Sequence, residues 1–346
     1  MANQLTIRTK SKPACIICGA SGTFIYQNLK DKLFNTPGIW NLKRCVNNQC
    51  GLFWLDPAPI NEDIYLAYEN YYTHQQNSII KESFFSKCAL GYQASKYKHL
   101  LNQTTHFQRV LGSFLARLNF FKEHMDYPFV YFKHLQKNED LIKLKLLELG
   151  VGSGETLKLF SDWGFEATGL DFDPLAVTYA KSQGLNVYEG DIFSQKFVDN
   201  SFDAIFSSHV IEHVDNPIKL MQESLRVLKK GGAFVAVTPN AHSKLHQYFK
   251  SNWRGLEPPR HLHIFTYNSL LIAARQSGFS YIKVISSNRS AVHIFYASMQ
   301  IKNHSDSKIK RKIITRYFSY LVGVYVNLLH RFSPLSGEEL VLIAYK

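Results

Sequence analysis

Between residues 141 and 287, short apolar runs alternate with amphipathic stretches, the pattern of βαβ units around a mostly parallel sheet. LKLLELG (144–150) is an apolar run closed by glycine and predicts strand one, with a helix over 153–163. FEATGLD (165–171), LNVYEGD (185–191), SFDAIFSS (201–208), AFVAVTPN (233–240) and FSYIKVIS (279–286) predict strands two to six. The stretch 174–183 predicts a helix opened by Pro174, a residue suited to the first turn. A further helix over 217–229 runs into Lys229, Lys230, Gly231 and Gly232, a fitting C-terminus, and another is predicted over 265–278. The flanks read differently. Residues 1–60 hold short β-like pieces between turn residues, and 61–140 are aromatic, basic and mostly helical in pattern. Residues 288–346 predict a basic linker, an apolar helix-like segment and a last strand, EELVLIAYK.

The strand tips carry the candidate chemistry. Strand one runs into Glu148, Gly150, Gly152 and Gly154, where glycine lets the backbone come close to a ligand. The glycines are spaced GxGxG, and Glu155 takes the place of the third glycine of a dinucleotide fingerprint. A carboxylate there would repel a pyrophosphate, which disfavours a nicotinamide enzyme. Asp171 closes strand two, 21 residues after Gly150, where a carboxylate can accept from both hydroxyls of a ribose. Asp191 closes strand three after Gly190 and could accept from an adenine amine, with the Ile192 N–H nearby. One such aspartate is ordinarily a turn residue, whereas three features at successive tips, in order, point to a nucleoside.

Together ELGVGSGE, GLDFDP, EGDIF, SFDAIFSSHVIEHV and VLKKGGAFVAVTPN resemble the motifs of class I S-adenosylmethionine (SAM)-dependent methyltransferases, nearest the ubiquinone-biosynthesis-like branch. The resemblance implies a Rossmann-like α/β fold with a seven-stranded sheet of order 3-2-1-4-5-7-6, strand seven antiparallel and supplied by EELVLIAYK. It implies that Glu148, Gly150, Gly152 and Gly154 surround the methionine and ribose. Asp171, with Phe172 after it, would hold the ribose, and Asp191 and Ile192 the adenine. Ser208 and His209 would lie beside the sulfonium.

His209-x-x-Glu212-His213 also matches an inverted zinc-protease signature. A peptidase needs that motif on a continuous helix, but here His209 follows a strand and Asp215-Asn216-Pro217 interrupts soon after. Glu212 and His213 are therefore expected in the turn after strand four, facing cofactor or substrate. After strand five come Asn240, Trp253 and the stretch Arg260-His261-Leu262-His263. Loops after parallel strands face the active side, so Arg260, Asn240 and Trp253 are expected at the substrate, and His261 or His263 as a general base.

Cys15-x2-Cys18 and Cys45-x4-Cys50 form two pairs separated by 26 residues, able to offer four thiolates to a structural Zn2+. This leader, running on through Tyr65, Tyr68, Tyr71 and Tyr72, resembles that of a bacterial methyltransferase subgroup with a zinc-ribbon-like N-terminus, often found in polysaccharide or sugar-modification pathways. The resemblance implies that Tyr71 and Tyr72 cover the cofactor.

Composition narrows the partners. Of 346 residues, 45% are hydrophobic and 19% charged, which excludes wholesale disorder. The net charge is +13, but 141–240 carry 13 Asp/Glu against 9 Lys/Arg, so the basicity lies in the flanks. The polar N-terminus shows no secretory signal, which predicts a cytoplasmic chain with reduced cysteines. Six Lys/Arg over 302–316 precede FSYLVGVYVNLL, too short to span a bilayer but suited to peripheral contact with an anionic membrane. The expected acceptor is a small molecule or glycan, nucleotide- or lipid-linked. An RNA methyltransferase and a non-catalytic zinc-dependent interaction protein are the alternatives, the first lacking a recognisable RNA-binding module.

Overall fold

The computed structural model describes residues 7–68, 84–96, 100, 103–117, 119–137, 144–303 and 309–346. Strands β1 (Thr9–Lys10), β2 (Gly22–Leu29), β3 (Trp40–Cys45), β4 (Phe53–Leu55) and β5 (Ala58–Pro59) form the N-terminal part. Helices α1 (Phe84–Lys96), α2 (His106–Leu115) and α3 (Asn119–Asp126) follow. The core is β6 (Lys145–Leu149), α4 (Glu155–Asp162), β7 (Glu166–Asp171), α5 (Pro174–Ser182), β8 (Val187–Glu189), β9 (Phe202–Ser208), α6 (Pro217–Val227) and β10 (Leu228–Pro239). Helix α7 (Lys244–Phe249), β11 (His263–Ile264), α8 (Tyr267–Gln276), β12 (Tyr281–Ser287), α9 (Ala291–Lys302), α10 (Ile309–His330) and β13 (Glu339–Tyr345) complete the chain.

Seven strands form one sheet in the order β8-β7-β6-β9-β10-β13-β12. Numbered from β6 along the chain, that is 3-2-1-4-5-7-6. Strand β13 runs antiparallel to both β10 and β12, as the family resemblance implied. The central strands are almost wholly apolar because both faces are covered by helices: Leu146, Leu147, Ala204, Ile205, Phe234 and Val235 are completely buried. The helices start at real caps, Asp173 accepting from Leu175 N and Asn216 from Lys219 N. Strand five is longer than expected. It begins at Leu228, with a register break before Ala233 where Gly231 takes a positive φ.

The N-terminal part packs directly on the core. Its second sheet, β11-β4-β3-β2, borrows β11 from beyond strand five, with His263 opposite Trp54. Cys15, Ile17, Cys50, Leu52 and Trp54 share one apolar cluster with Leu147, Ile205, Phe234 and Phe265 of the core. The expected linker after 288 also differs, since α9 starts at Ala291. Among the described residues no helix is long and apolar enough to cross a membrane, although α10 exposes Tyr317, Leu321 and Tyr325.

Candidate active site

A cavity of about 960 Å³ opens at the carboxyl ends of β6, β7, β8 and β9. That is near the top of the roughly 300–1,000 Å³ usual for small-molecule sites. Leu149, Gly150, Gly152, Asp171, Phe172, Asp191, Ile192, Ser208 and His209 line one side. The other side is built by the segment 59–68, the loop 254–262 and the residues around Arg289 and His293.

The glycines divide the work. At Gly150 a Cβ would stand 2.4 Å from Val210 Cγ2, and at Gly154 one would stand 2.6 Å from Leu185 Cδ1, so both allow packing. At Gly152 (φ +52°), which lines the cavity, a Cβ would meet nothing within 4 Å. Gly152 N donates to Asp171 Oδ2 at 2.7 Å, tying the first tip to the second. Glu148 is buried with Oε2 unpartnered. Burial and then the charge of Asp171 push its carboxyl well above the usual range. Burial likewise raises Asp171, against the N–H groups of Asp173 and Gly152. Asp191 Oδ1 caps its own turn, accepting from Phe193 N and Ser194 N.

An orphaned carboxylate oxygen, an empty glycine cradle and successive strand-tip aspartates fit the ammonium, ribose and adenine of SAM. Glu148 would hold the ammonium, Asp171 the ribose, and Asp191 with Ile192 the adenine edge.

Beyond strand four, His209 has a left-handed backbone (φ +55°), uncommon for a non-glycine residue. Its ring is gripped from both sides, Nδ1 3.1 Å from Glu212 Oε1 and Nε2 3.1 Å from Glu339 Oε1. Burial alone would lower its pKa, but the two carboxylates push it up to about 9, so His209 is an imidazolium at neutral pH. The inverted protease motif is accordingly a tight turn and not a helix. Ser208 Oγ lies 3.2 Å from the Tyr127 hydroxyl, and the Arg289 guanidinium lies over the Tyr127 ring, 3.8 Å from its centre.

On the far wall, His213 and His261 meet edge to face with centroids 4.7 Å apart. Burial lowers both, His213 to about 4, so both are neutral. Tyr68 closes this corner, its hydroxyl 2.9 Å from His213 Nδ1 and its ring 5.0 Å from that of Phe172.

Four expected substrate-side residues do not reach the cavity. Arg260 is fully buried, donating to Glu257 Oε1, Asp31 Oδ2, Thr36 Oγ1 and Ala67 O at 2.8–2.9 Å. Asn240 donates to Leu335 O and Gly337 O and accepts from His242 N. Trp253 stacks on His246 and directs Nε1 to Glu338. His263 is buried in β11, with Nε2 3.4 Å from Asp215 O. Arg260 and His263 hold the loop against the N-terminal part, whereas Asn240 and Trp253 tie the segment after β10 to the residues before β13. Tyr71 and Tyr72 lie outside the described residues. Tyr68, Arg289, His293 and Glu339 also line the cavity without standing in any of the sequence motifs, although Tyr68 lies in the aromatic leader.

The four cysteines of the N-terminal part do converge, one Sγ from each within 4.8 Å of the others. Cys15 and Cys50 sulfurs are 3.7 Å apart, and Cys18 and Cys45 3.4 Å. Tetrahedral zinc at ~2.3 Å from sulfur would set neighbouring sulfurs about 3.8 Å apart, so the donor set fits.

Residues 97–284 match the family described as "Methyltransferase domain". The chain is 33% identical over 93 residues to a demethylmenaquinone methyltransferase of Renibacterium salmoninarum, covering 26% of this chain and 39% of that one. It is 28% identical over 138 residues to a ubiquinone biosynthesis O-methyltransferase of Paramagnetospirillum magneticum, covering 37% and 53%. In the first curated relatives the match spans under two-fifths of their length. Among solved structures, a SAM-dependent methyltransferase of Archaeoglobus fulgidus superposes with a TM-score of 0.43 at 18% identity, covering 63% of this chain and 93% of that one. Since the family match takes in more than half of the sequence and falls on the strands that build the cleft, the chain belongs to the methyltransferase-domain family.

Proposed function

We propose that the protein transfers a methyl group from SAM to a hydroxyl of a small-molecule or glycan acceptor. The observation that carries this reading is the open cradle at Gly152, flanked by Asp171 and Asp191 at successive strand tips. SAM supplies a methyl group already activated by a positive sulfur. The protein has then to align the acceptor, which can account for much of the rate. It must also take the acceptor's proton. Alignment falls to the wall around Asn61, Arg254, Arg289 and His293, polar groups set among Pro59, Ile64 and Ile294 as a hydroxyl-rich ligand requires. Deprotonation is promoted at the cluster of Glu212, His213 and His261. The imidazolium of His209, held by Glu212 and Glu339, braces the turn and is no base.

Methyl-labelled SAM offered with pools of nucleotide sugars, lipid-linked glycans and bulk RNA tests the reading. Label should enter a sugar-containing pool; label confined to RNA would overturn it.

In the same reading the cysteine cluster holds a structural zinc that pins the turn at 15–18 to the turn at 45–50, where the N-terminal part packs on the core. Cys45→Ser is expected to lose one zinc per chain by elemental analysis and to melt more than 10 °C lower, since zinc binding to such sites is worth about 10 kcal/mol or more in peptides. An unchanged melting curve would contradict the zinc assignment.

A further inference from the structure

One donor atom each from Glu212, His213 and His261 lies within 4.8 Å of the others, and both histidines line the cleft. Two features mark the cluster as a place for a ligand. First, His213 Nδ1 lies 3.0 Å from Arg260 O, and His261 Nδ1 lies 2.7 Å from Gly255 O. A carbonyl only accepts, so each Nδ1 carries the proton and each Nε2 keeps its lone pair. The Tyr68 oxygen shares the His213 proton. Anchoring one ring nitrogen to a carbonyl is how metal-binding histidines are oriented, the other being left to the metal. Second, Glu212 is completely buried; its Oε1 accepts from His209 and its Oε2 has no partner. Leaving such an oxygen unsatisfied is costly unless something fills the gap. Glu257 adds to the imbalance. Its Oε2 stands 3.4 Å from His261 Nε2, although Glu257 is already paired with Arg254 and Arg260.

We propose that Glu212, His213 and His261 bind a divalent first-row cation on the cleft wall, with its open positions facing the acceptor. Two imidazole nitrogens and one carboxylate oxygen suit Mn2+, Fe2+ or Zn2+ and leave coordination positions free. A hydroxyl bound there becomes more acidic, and its proton passes to water. Only the identity of that hydroxyl rests on the methyl-transfer reading; the cation site stands on the side-chain geometry.

The test uses the full chain, dialysed against a mild chelator that leaves the cysteine-held ion in place. It is titrated with Mn2+, a poor match for thiolates, with free ion read by electron paramagnetic resonance. One Mn2+ per chain is expected, bound at least tenfold more weakly in Glu212→Gln and His261→Gln and equally well in His242→Gln. In the unmutated chain, Mn2+ should also broaden the ring-proton resonances of His213 and His261, so the test survives a variant that fails to fold. No Mn2+ uptake, or uptake that leaves those resonances sharp, would overturn the site. Calorimetry with S-adenosylhomocysteine on the same dialysed chain separates the two ideas. Nucleoside binding without Mn2+ binding sinks the cation site alone, and Mn2+ binding without nucleoside binding sinks the methyl-transfer reading alone.

Discussion

Asp171→Ala is expected to weaken S-adenosylhomocysteine binding by about 100-fold or more in calorimetry. A ribose offers two hydroxyls to this carboxylate, and each hydrogen bond to a charged group is worth ~1.5–3 kcal/mol. Losing about 3 kcal/mol is two orders of magnitude in affinity. The residue also organises the tips, accepting from Gly152 N at 2.7 Å and from Asp173 N at 2.9 Å. Asp171→Asn keeps an acceptor oxygen for those contacts and removes the charge, so it should fall between wild type and alanine. Equal affinity in all three proteins would mean that the nucleoside does not sit at this tip.

Arg260→Met should destabilise the fold by ~3–5 kcal/mol, as expected when one partner of a buried charge network is removed. The guanidinium joins Asp31 of the N-terminal part, Glu257 of the loop and the Ala67 carbonyl, and it lies 4.6 Å from the Phe34 ring centre. Because Ala67 precedes Tyr68, the same clamp positions the wall of the cleft. The pH dependence has a definite sign. Burial would raise the Asp31 carboxyl, but Arg260 and the Phe34 N–H hold it below its usual value. In the wild type this contribution is therefore complete above the unfolded carboxylate pKa of about 3.9 and fades as pH falls through the lower folded value. In the variant Asp31 is buried without its cation, and protonation relieves that penalty. The difference between the proteins, measured by urea unfolding, should be largest at neutral pH and narrow below about pH 4. A constant difference would mean that Arg260 acts through packing and not through charge.

The sheet was readable because its signals are local. Each core strand is an apolar run, the first three end in Gly or Asp at the ligand-facing tip, and the last strand is an apolar run at the end of the sequence. Gly152, Asp171, Asp191 and Ile192 reach one cleft for the same reason. The four cysteines also converge as their spacing suggested. The substrate side was read less well because its determinants are far apart in sequence. Arg260 has the look of an anion-binding residue, yet its partner Asp31 lies 229 positions away. His263 follows a parallel strand, as a base could, but it is taken up by a two-residue strand paired with Trp54. His209, Glu339 and Arg289 likewise form a site only through β13, which inserts late in the chain beside β10. Glu212, His213 and His261 were each singled out for cofactor or substrate, and only the fold shows that they form one cluster.

The most direct check on this account is the electron density of a crystal grown with S-adenosylhomocysteine. The predicted result is a nucleoside with its ribose hydroxyls on Asp171, its adenine edge at Asp191 and Ile192, and its amino group toward Glu148. A nucleoside bound elsewhere, or a cleft that stays empty at saturating ligand, would contradict it.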